Sequence, residues 1–336
     1  YRPNGTTDRG RSVAYWWVAP SRRDFHACRR RTGEERPMRA IVRKKSGPPE
    51  ALQLQDVPKP TPDSSELLVR VHAATVTRGD AVLQGMPLLM WIPMRLFLGL
   101  RRTRIPGTEF AGEVASVGGK VTAFQAGDPV FGTTTGLGAG AYAEYLCVPE
   151  DGVVAPKPGN VTYEEAAALP VGGYTALYFL RKGAIESGQK VLIYGASGSV
   201  GTYAVQLAKH LGATVTGVCS TRNLDMVRSL GADEVIDYTK QDFSEMGNQY
   251  DIVLDAVGKA SVASCKGSLA PGGAYVSVTK GLAKESAADL AYLAELVEAG
   301  ELRPVIDRRY PLEQVAEAHA YVETGRKRGN VIIAVT

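Results

Sequence analysis

The stretch KVLIYGASGSVGTYAVQLAK, residues 190–209, restricts the fold more than any other part of the chain. A run of apolar residues ending at Tyr194 enters a short turn carrying Gly195, Gly198 and Gly201, and helical spacing begins at once beyond it. The same change of period recurs. Strand-like runs at Lys190–Gly195, Thr214–Cys219, Glu234–Tyr238, Asp251–Asp255 and Ala274–Val278 alternate with helix-like runs such as Val200–Leu211 and Asn223–Leu230. Strands that are apolar throughout are covered on both faces, and alternation of this kind builds right-handed crossovers onto a parallel sheet. The reading is α/β, with a doubly wound parallel sheet.

The turn itself points to a ligand. A pyrophosphate needs bare backbone N–H groups and the positive end of a helix dipole, and Ala196, Ser197, Gly198, Ser199, Val200 and Gly201 supply both. Gly198 lets the backbone approach the phosphates and Gly201 lets helix and strand pack closely, with Ala196 standing where a first glycine is usual. A tight strand–helix turn without a ligand is the plainer alternative. An NAD site places an acid at the end of the next strand, yet that slot reads Cys219, Ser220, Thr221, Arg222, with Asp225 further on. A hydroxyl beside a guanidinium suits a 2′-phosphate, so the expected cofactor is NADPH; a solvated surface Arg222 is the other reading.

The earlier half has another texture. ELLVRVHAATV, GEVASVG and AYAEYLCV alternate apolar and polar residues between Gly and Pro, as a compact, partly open barrel would. Helical spacing starts near residue 160, with Asn160 or Thr162 as cap. Beyond the alternating region, a helix is expected at Ala287–Glu298, a short strand near Val305, a helix at Leu312–Tyr321 and a last strand at Val331–Val335. Residues 1–37 hold nine Arg, no Lys and four acids, and read as a leader, disordered or non-native, with a targeting peptide as the rival. Residues 38–336 carry a net charge of −1, so the basicity belongs to the leader and no nucleic-acid partner is expected. Cys28, Cys147, Cys219 and Cys265 lack metal-ligand spacing, and a reducing cytoplasm fits them. The apolar run Met86–Leu100 is too short and interrupted for a membrane span, and reads as a substrate-pocket wall, ordinary core or a partner contact.

Taken together, HAATVTRGD, PGTEFAGEVASVG, GDPVFG, GAYAEY, LPVGGYTALYFL, the nucleotide turn, SLGADEVIDY, DAVG and GNVII resemble the medium-chain dehydrogenase/reductases, specifically the zinc-free quinone-oxidoreductase-like branch, over nearly all of residues 38–336. The resemblance implies a GroES-like β-rich catalytic domain (38–160, completed by 301–336) around a Rossmann-type NADPH-binding domain (161–300), with the active site in the cleft between them. It implies that Tyr238 lies near Ser220 and the adenosine phosphate. Val257 of DAVG and Asn330 reach the cofactor, and Thr175 with Gly172 and Gly173 lines the nicotinamide side. Thr77 and Asp80 face the substrate cleft; Asp80 can equally cap the helix that follows. Where zinc-dependent relatives carry a Cys-His pair, a His and a third ligand, this chain has Thr77-Arg78, Gly107-Thr108-Glu109 and a position near Val171, so no metal is expected.

The chemistry so implied is direct hydride transfer from NADPH to a quinone or α,β-unsaturated carbonyl, with the final proton from Tyr142, Tyr174 or water. An enoyl-thioester reductase and a non-enzymatic NADPH-binding sensor or structural protein are the rival readings. One departure stands out. After GGAYVSV the chain passes through TKGLAKES straight into the next helix, where the family usually has roughly two dozen more residues, including a sixth strand. That strand commonly pairs across the family's homodimer, so dimerisation is in question and a sheet edge is left bare.

Overall fold

The computed structural model describes residues 36–43, 47–86, 104–135 and 140–336. The leader up to residue 35 and the apolar run after Met86 lie outside the described residues. A short antiparallel pair, β1 (Met38–Arg43) and β2 (Leu52–Val57), precedes a larger sheet. That sheet contains β3 (Glu66–Thr75), β4 (Glu109–Val117), β5 (Pro129–Thr133), β6 (Tyr145–Pro149) and β7 (Val154–Pro156), with helix α1 (Arg78–Gly85) after β3. Alternation in β3 sends Leu67, Val69 and Val71 into one core with Phe110, Val130 and Leu146.

Helical spacing past residue 160 becomes two helices, α2 (Tyr163–Ala167) and α3 (Pro170–Lys182). Thr162 is the cap of α2, forming a reciprocal capping box with Glu165, while the Asn160 amide donates instead to the Val297 carbonyl. Pro170 starts α3 at its first turn, where a missing N–H costs nothing.

Strands β8 (Lys190–Tyr194), β9 (Thr214–Cys219), β10 (Glu234–Asp237), β11 (Tyr250–Asp255) and β12 (Leu269–Ser277) form one parallel sheet in the order β10-β9-β8-β11-β12. Helices α4 (Ser199–His210), α5 (Leu224–Ser229) and the short α6 (Val262–Cys265) lie between them in sequence. The sheet ends at β12, and residues 278–286 cross directly to α7 (Ala287–Glu298). Strand β12 starts earlier than its apolar pattern suggests, because a register shift against Tyr250–Ile252 of β11 absorbs Pro271-Gly272-Gly273. The last segment, β13 (Ile306–Pro311), α8 (Val315–Glu323) and β14 (Asn330–Ala334), adds its strands to the sheet of β3 through antiparallel pairing of Ile332 with Thr75. Among the described residues no helix is long and apolar enough to cross a membrane.

Candidate active site

Strand β8 delivers the chain into the turn, and sterics fix its shape. Gly195 takes φ +83°, a left-handed conformation that favours glycine. A Cβ on Gly201 would lie 2.1 Å from the Gly195 carbonyl oxygen, so helix α4 sits against β8 as only glycine allows. Gly198 is the N-cap of α4 and no side chain caps it, so the first helical N–H groups are left to a ligand. Ala196 is fully buried, and Val200 packs against the main core. The turn is also tied to the end of the chain: Gly329 N–H donates to the Ser197 carbonyl at 2.9 Å, and Ser199 Oγ donates to Asn330 Oδ1 at 2.6 Å.

Beyond β9, the Asn223 side-chain amide donates to both Ser220 Oγ and Ser197 Oγ at 3.1 Å, joining the two halves of the expected cofactor site. Its buried Oδ1 has no partner among the described residues, as an acceptor kept for a ligand would be. Sequence reasoning missed Asn223; its one signal is a polar side chain directly after Arg222. The exposed Arg222 donates to the Arg326 carbonyl at 2.5 Å. Asp225 is solvent-exposed and paired with Arg228. The acid at the end of β10, Asp237, is engaged by Thr221 and Thr239. Neither acid occupies the slot that a ribose 2′-OH would use. Tyr238 (55% exposed) and Val257 (44% exposed) stand near the loop, the latter so close to Gly195 that a Cβ there would meet its Cγ1 at 2.6 Å. These residues suit NADPH: a cradle that a Cβ would fill, an orphaned acceptor, and a hydroxyl and guanidinium in place of an acid.

After β3, Thr77 is the N-cap of α1 and Asp80 is its third residue, in a reciprocal capping box. Asp80 thus completes the cap from inside the helix rather than being the N-cap. It also accepts from Thr108 Oγ1 at 3.2 Å, and burial raises its pKa. Glu109, missed in the sequence, lies beside it on β4, signalled there only by an acid in an apolar run. Glu109 is 1% exposed; its Oε1 accepts from Val171 N–H at 2.6 Å and its Oε2 bonds the Thr75 hydroxyl. Burial pushes its pKa up to about 8, against the pull of those two bonds. At the three places compared with a zinc-ligand set in the sequence, Thr77-Arg78, Gly107-Thr108-Glu109 and Val171, the Thr77 and Thr108 hydroxyls donate to Asp80 and the Val171 N–H donates to Glu109. A hydroxyl pair and a backbone amide do not fit zinc, and among the described residues no three His, Cys, Asp or Glu side chains are placed to hold a metal.

The two tyrosines separate. Tyr142 is fully buried in the catalytic-domain core; its Oη donates to the Thr75 carbonyl at 3.0 Å and lies 3.3 Å from His319 Nε2. Its proton is engaged by that carbonyl, and burial raises its pKa well above that of free tyrosine. Tyr174 projects from α3, and its Oη donates to Glu285 Oε1 at 2.7 Å. Burial and then the Glu285 charge raise its pKa well above the ordinary value. Thr175, the next residue, is partly buried. Glu285 lies on the crossing after β12, and its other oxygen accepts from Thr133 of β5 at 2.6 Å, so one carboxylate ties helix α3 to β5. Glu285→Ala is expected to lower the melting temperature by several degrees through loss of about 2–3 kcal/mol from two charge-assisted bonds. Differential scanning calorimetry checks this, and an unchanged transition removes the tie.

Three family models match: an alcohol dehydrogenase GroES-like domain over residues 63–159, and a zinc-binding dehydrogenase domain over 199–299 and, in a second form, 279–333. The chain is 34% identical over 315 residues to a chloroplast envelope quinone oxidoreductase homolog of Arabidopsis thaliana, covering 84% of this chain and 93% of that one. It is 34% identical over 250 residues to an NADPH-dependent alkenal/one oxidoreductase of the same plant, covering 68% and 63%. Among solved structures, the quinone oxidoreductase from Coxiella burnetii superposes with a TM-score of 0.77 at 28% identity, covering 89% of this chain and 99% of that one.

Proposed function

The chain belongs to the medium-chain dehydrogenase/reductase superfamily, in its quinone-oxidoreductase-like branch, and from that premise we propose an NADPH-dependent oxidoreductase that reduces quinones or α,β-unsaturated carbonyls without a metal. The observation that carries the reading is the uncapped turn at Gly198 joined through Asn223 to Ser220, with Arg222 next in line and no acid in the ribose slot.

Bound NADPH supplies the hydride. When the cofactor is bound, the helix α4 N-terminus would hold its pyrophosphate, Ser220 and Arg222 its 2′-phosphate, and Tyr238 and Val257 would line the adenosine side. Asn330 fixes Ser199 at the base of the turn. Gly172 lets α3 approach Ser199, where a Cβ would stand 2.6 Å from its Oγ, and Thr175 follows on the nicotinamide side. Thr77 and Asp80 serve the opposite wall by building it. An acceptor that spreads negative charge onto oxygen as hydride arrives needs no Lewis acid, which fits hydroxyls and carboxylates where relatives have zinc ligands. Tyr174, held by Glu285, yields its proton only to a strong base such as an enolate; for weaker bases water is the source.

Cys219 and Cys265 are buried and form no disulfide among the described residues, which fits a reducing compartment such as the cytoplasm; a plastid is another such compartment, and one named relative belongs there. A homodimer is part of the reading, with β12 as the sheet edge on which a second copy would pair.

Anaerobic mixing of the NADPH-loaded protein with a panel of quinones and enals tests the activity: loss of reduced-nicotinamide absorbance is expected with at least one class, and none with any acceptor ends the enzymatic reading. For the cofactor, Arg222→Ala is expected to raise the NADPH Kd about tenfold or more while leaving NADH unchanged. Fluorescence titration reads both constants, and an unaltered NADPH Kd takes Arg222 out of the site.

A further inference from the structure

Lys327 has no role in anything described so far. It follows α8, on the segment that returns the chain to the sheet of β3. Its Nζ donates to the Gly329 carbonyl at 2.6 Å. Gly329 in turn forms a parallel bridge with Gly198, the N-cap of α4, and donates its N–H to Ser197. An ammonium group is therefore set beside the start of α4, where the helix dipole is already positive.

Two positive groups held close together at a half-buried position repel each other unless an anion lies between them. Among the described residues no carboxylate is paired with Lys327. Glu109 and Asp307 are the acids that act on Lys327, but Glu109 is bonded to Thr75 and Val171, and Asp307 to Arg328 and Tyr321. Among the described residues Lys327 makes no ion pair, and desolvation lowers its pKa to about 8.

We infer that Lys327 is a cofactor-binding residue whose ammonium, beside the start of α4, contacts the pyrophosphate of the dinucleotide. This rests on the proposed cofactor. Because Lys327 is carried by the segment that extends the sheet of β3, the pyrophosphate then ties that segment to the start of α4. Its contact is common to NADPH and NADH, whereas that of Arg222 is not.

The test uses Lys327→Met, which keeps the stem and removes the charge, and Lys327→Gln as a second variant. Titration of wild type and variants with NADPH, NADH and ADP, with calorimetric melting of each in the absence and presence of NADPH, gives the readouts. The expected result is a loss of about tenfold for all three ligands. The ligand-free melting temperature is held or raised, because a desolvated charge has gone, and the stabilisation by NADPH shrinks. A lower ligand-free melting temperature with unchanged dissociation constants makes Lys327 a fastener of the turn and overturns the inference. So does a loss confined to NADPH, which moves the contact to the 2′-phosphate. If wild type binds no dinucleotide, the cofactor reading falls and this inference with it, an outcome distinct from wild-type binding that the variants retain.

Discussion

Gly201→Val is expected to abolish NADPH binding, with a rise in Kd of about a hundredfold or more, and to destabilise the fold by about 3 kcal/mol. The new Cβ would stand 2.1 Å from the Gly195 oxygen and 2.8 Å from the Ala196 Cα, both backbone atoms that no rotamer change can move aside. Relief requires α4 to lift off β8, and lifting it pulls the helix N-terminus out of the turn. Gly195 cannot give way either, since it holds φ +83° with Val257 packed over it. The companion variant Gly198→Ala separates fold from ligand. There φ is −81°, and an added Cβ meets nothing nearer than the Gly195 oxygen at 3.5 Å, so the melting temperature should stay while the methyl crowds the phosphates and weakens NADPH about tenfold. Near-normal NADPH affinity in Gly201→Val would show that this turn does not hold the dinucleotide.

These glycines were legible in the sequence because the demand they meet is local: a turn of fixed length between a strand and a helix. Helix caps are legible for the same reason. Thr162 is one of two cap candidates in the sequence and is the cap, the cap expected at Asp80 stands three residues earlier at Thr77, and α7 spans Ala287–Glu298 as its spacing predicts. What the sequence hid are side chains whose meaning depends on distant partners. Glu285 matters because it meets Tyr174 and Thr133, 111 and 152 residues away. Glu109 looks like a stray acid until burial closes over it. Tyr142 and Tyr174 are alike by composition, yet one faces His319 in a core and the other the Glu285 carboxylate. The short crossing after β12 was legible as a missing strand, but not as the route that carries Glu285 to Tyr174 and Thr133.

Glu109 makes the second large prediction, in stability against pH. Its folded pKa is about 8 against an ordinary 4.5, so between those values the folded protein binds a proton that the unfolded chain has released. Stability therefore declines as pH rises through this window, by about 1.4 kcal/mol per unit, and the contribution is gone above about pH 8. His319 works in the opposite sense over another range: burial lowers its pKa to about 4, so its term rises with pH from about 4 to its ordinary 6.5 and is flat beyond. Glu109→Gln isolates the first effect. Its amide oxygen can still accept from Val171 and its nitrogen can donate to Thr75, imitating the neutral acid while having no proton to lose. Wild type and variant should be equally stable near pH 4.5. Their difference should then widen in favour of the variant to about 4 kcal/mol by pH 8, since His319 contributes alike to both and the couplings of Glu109 to Asp80 and Lys327 are smaller than its burial effect. Urea unfolding at intervals across this range measures it. Parallel curves for the two proteins would mean that Glu109 is ionised throughout, stabilised by a charge that the burial argument has left out.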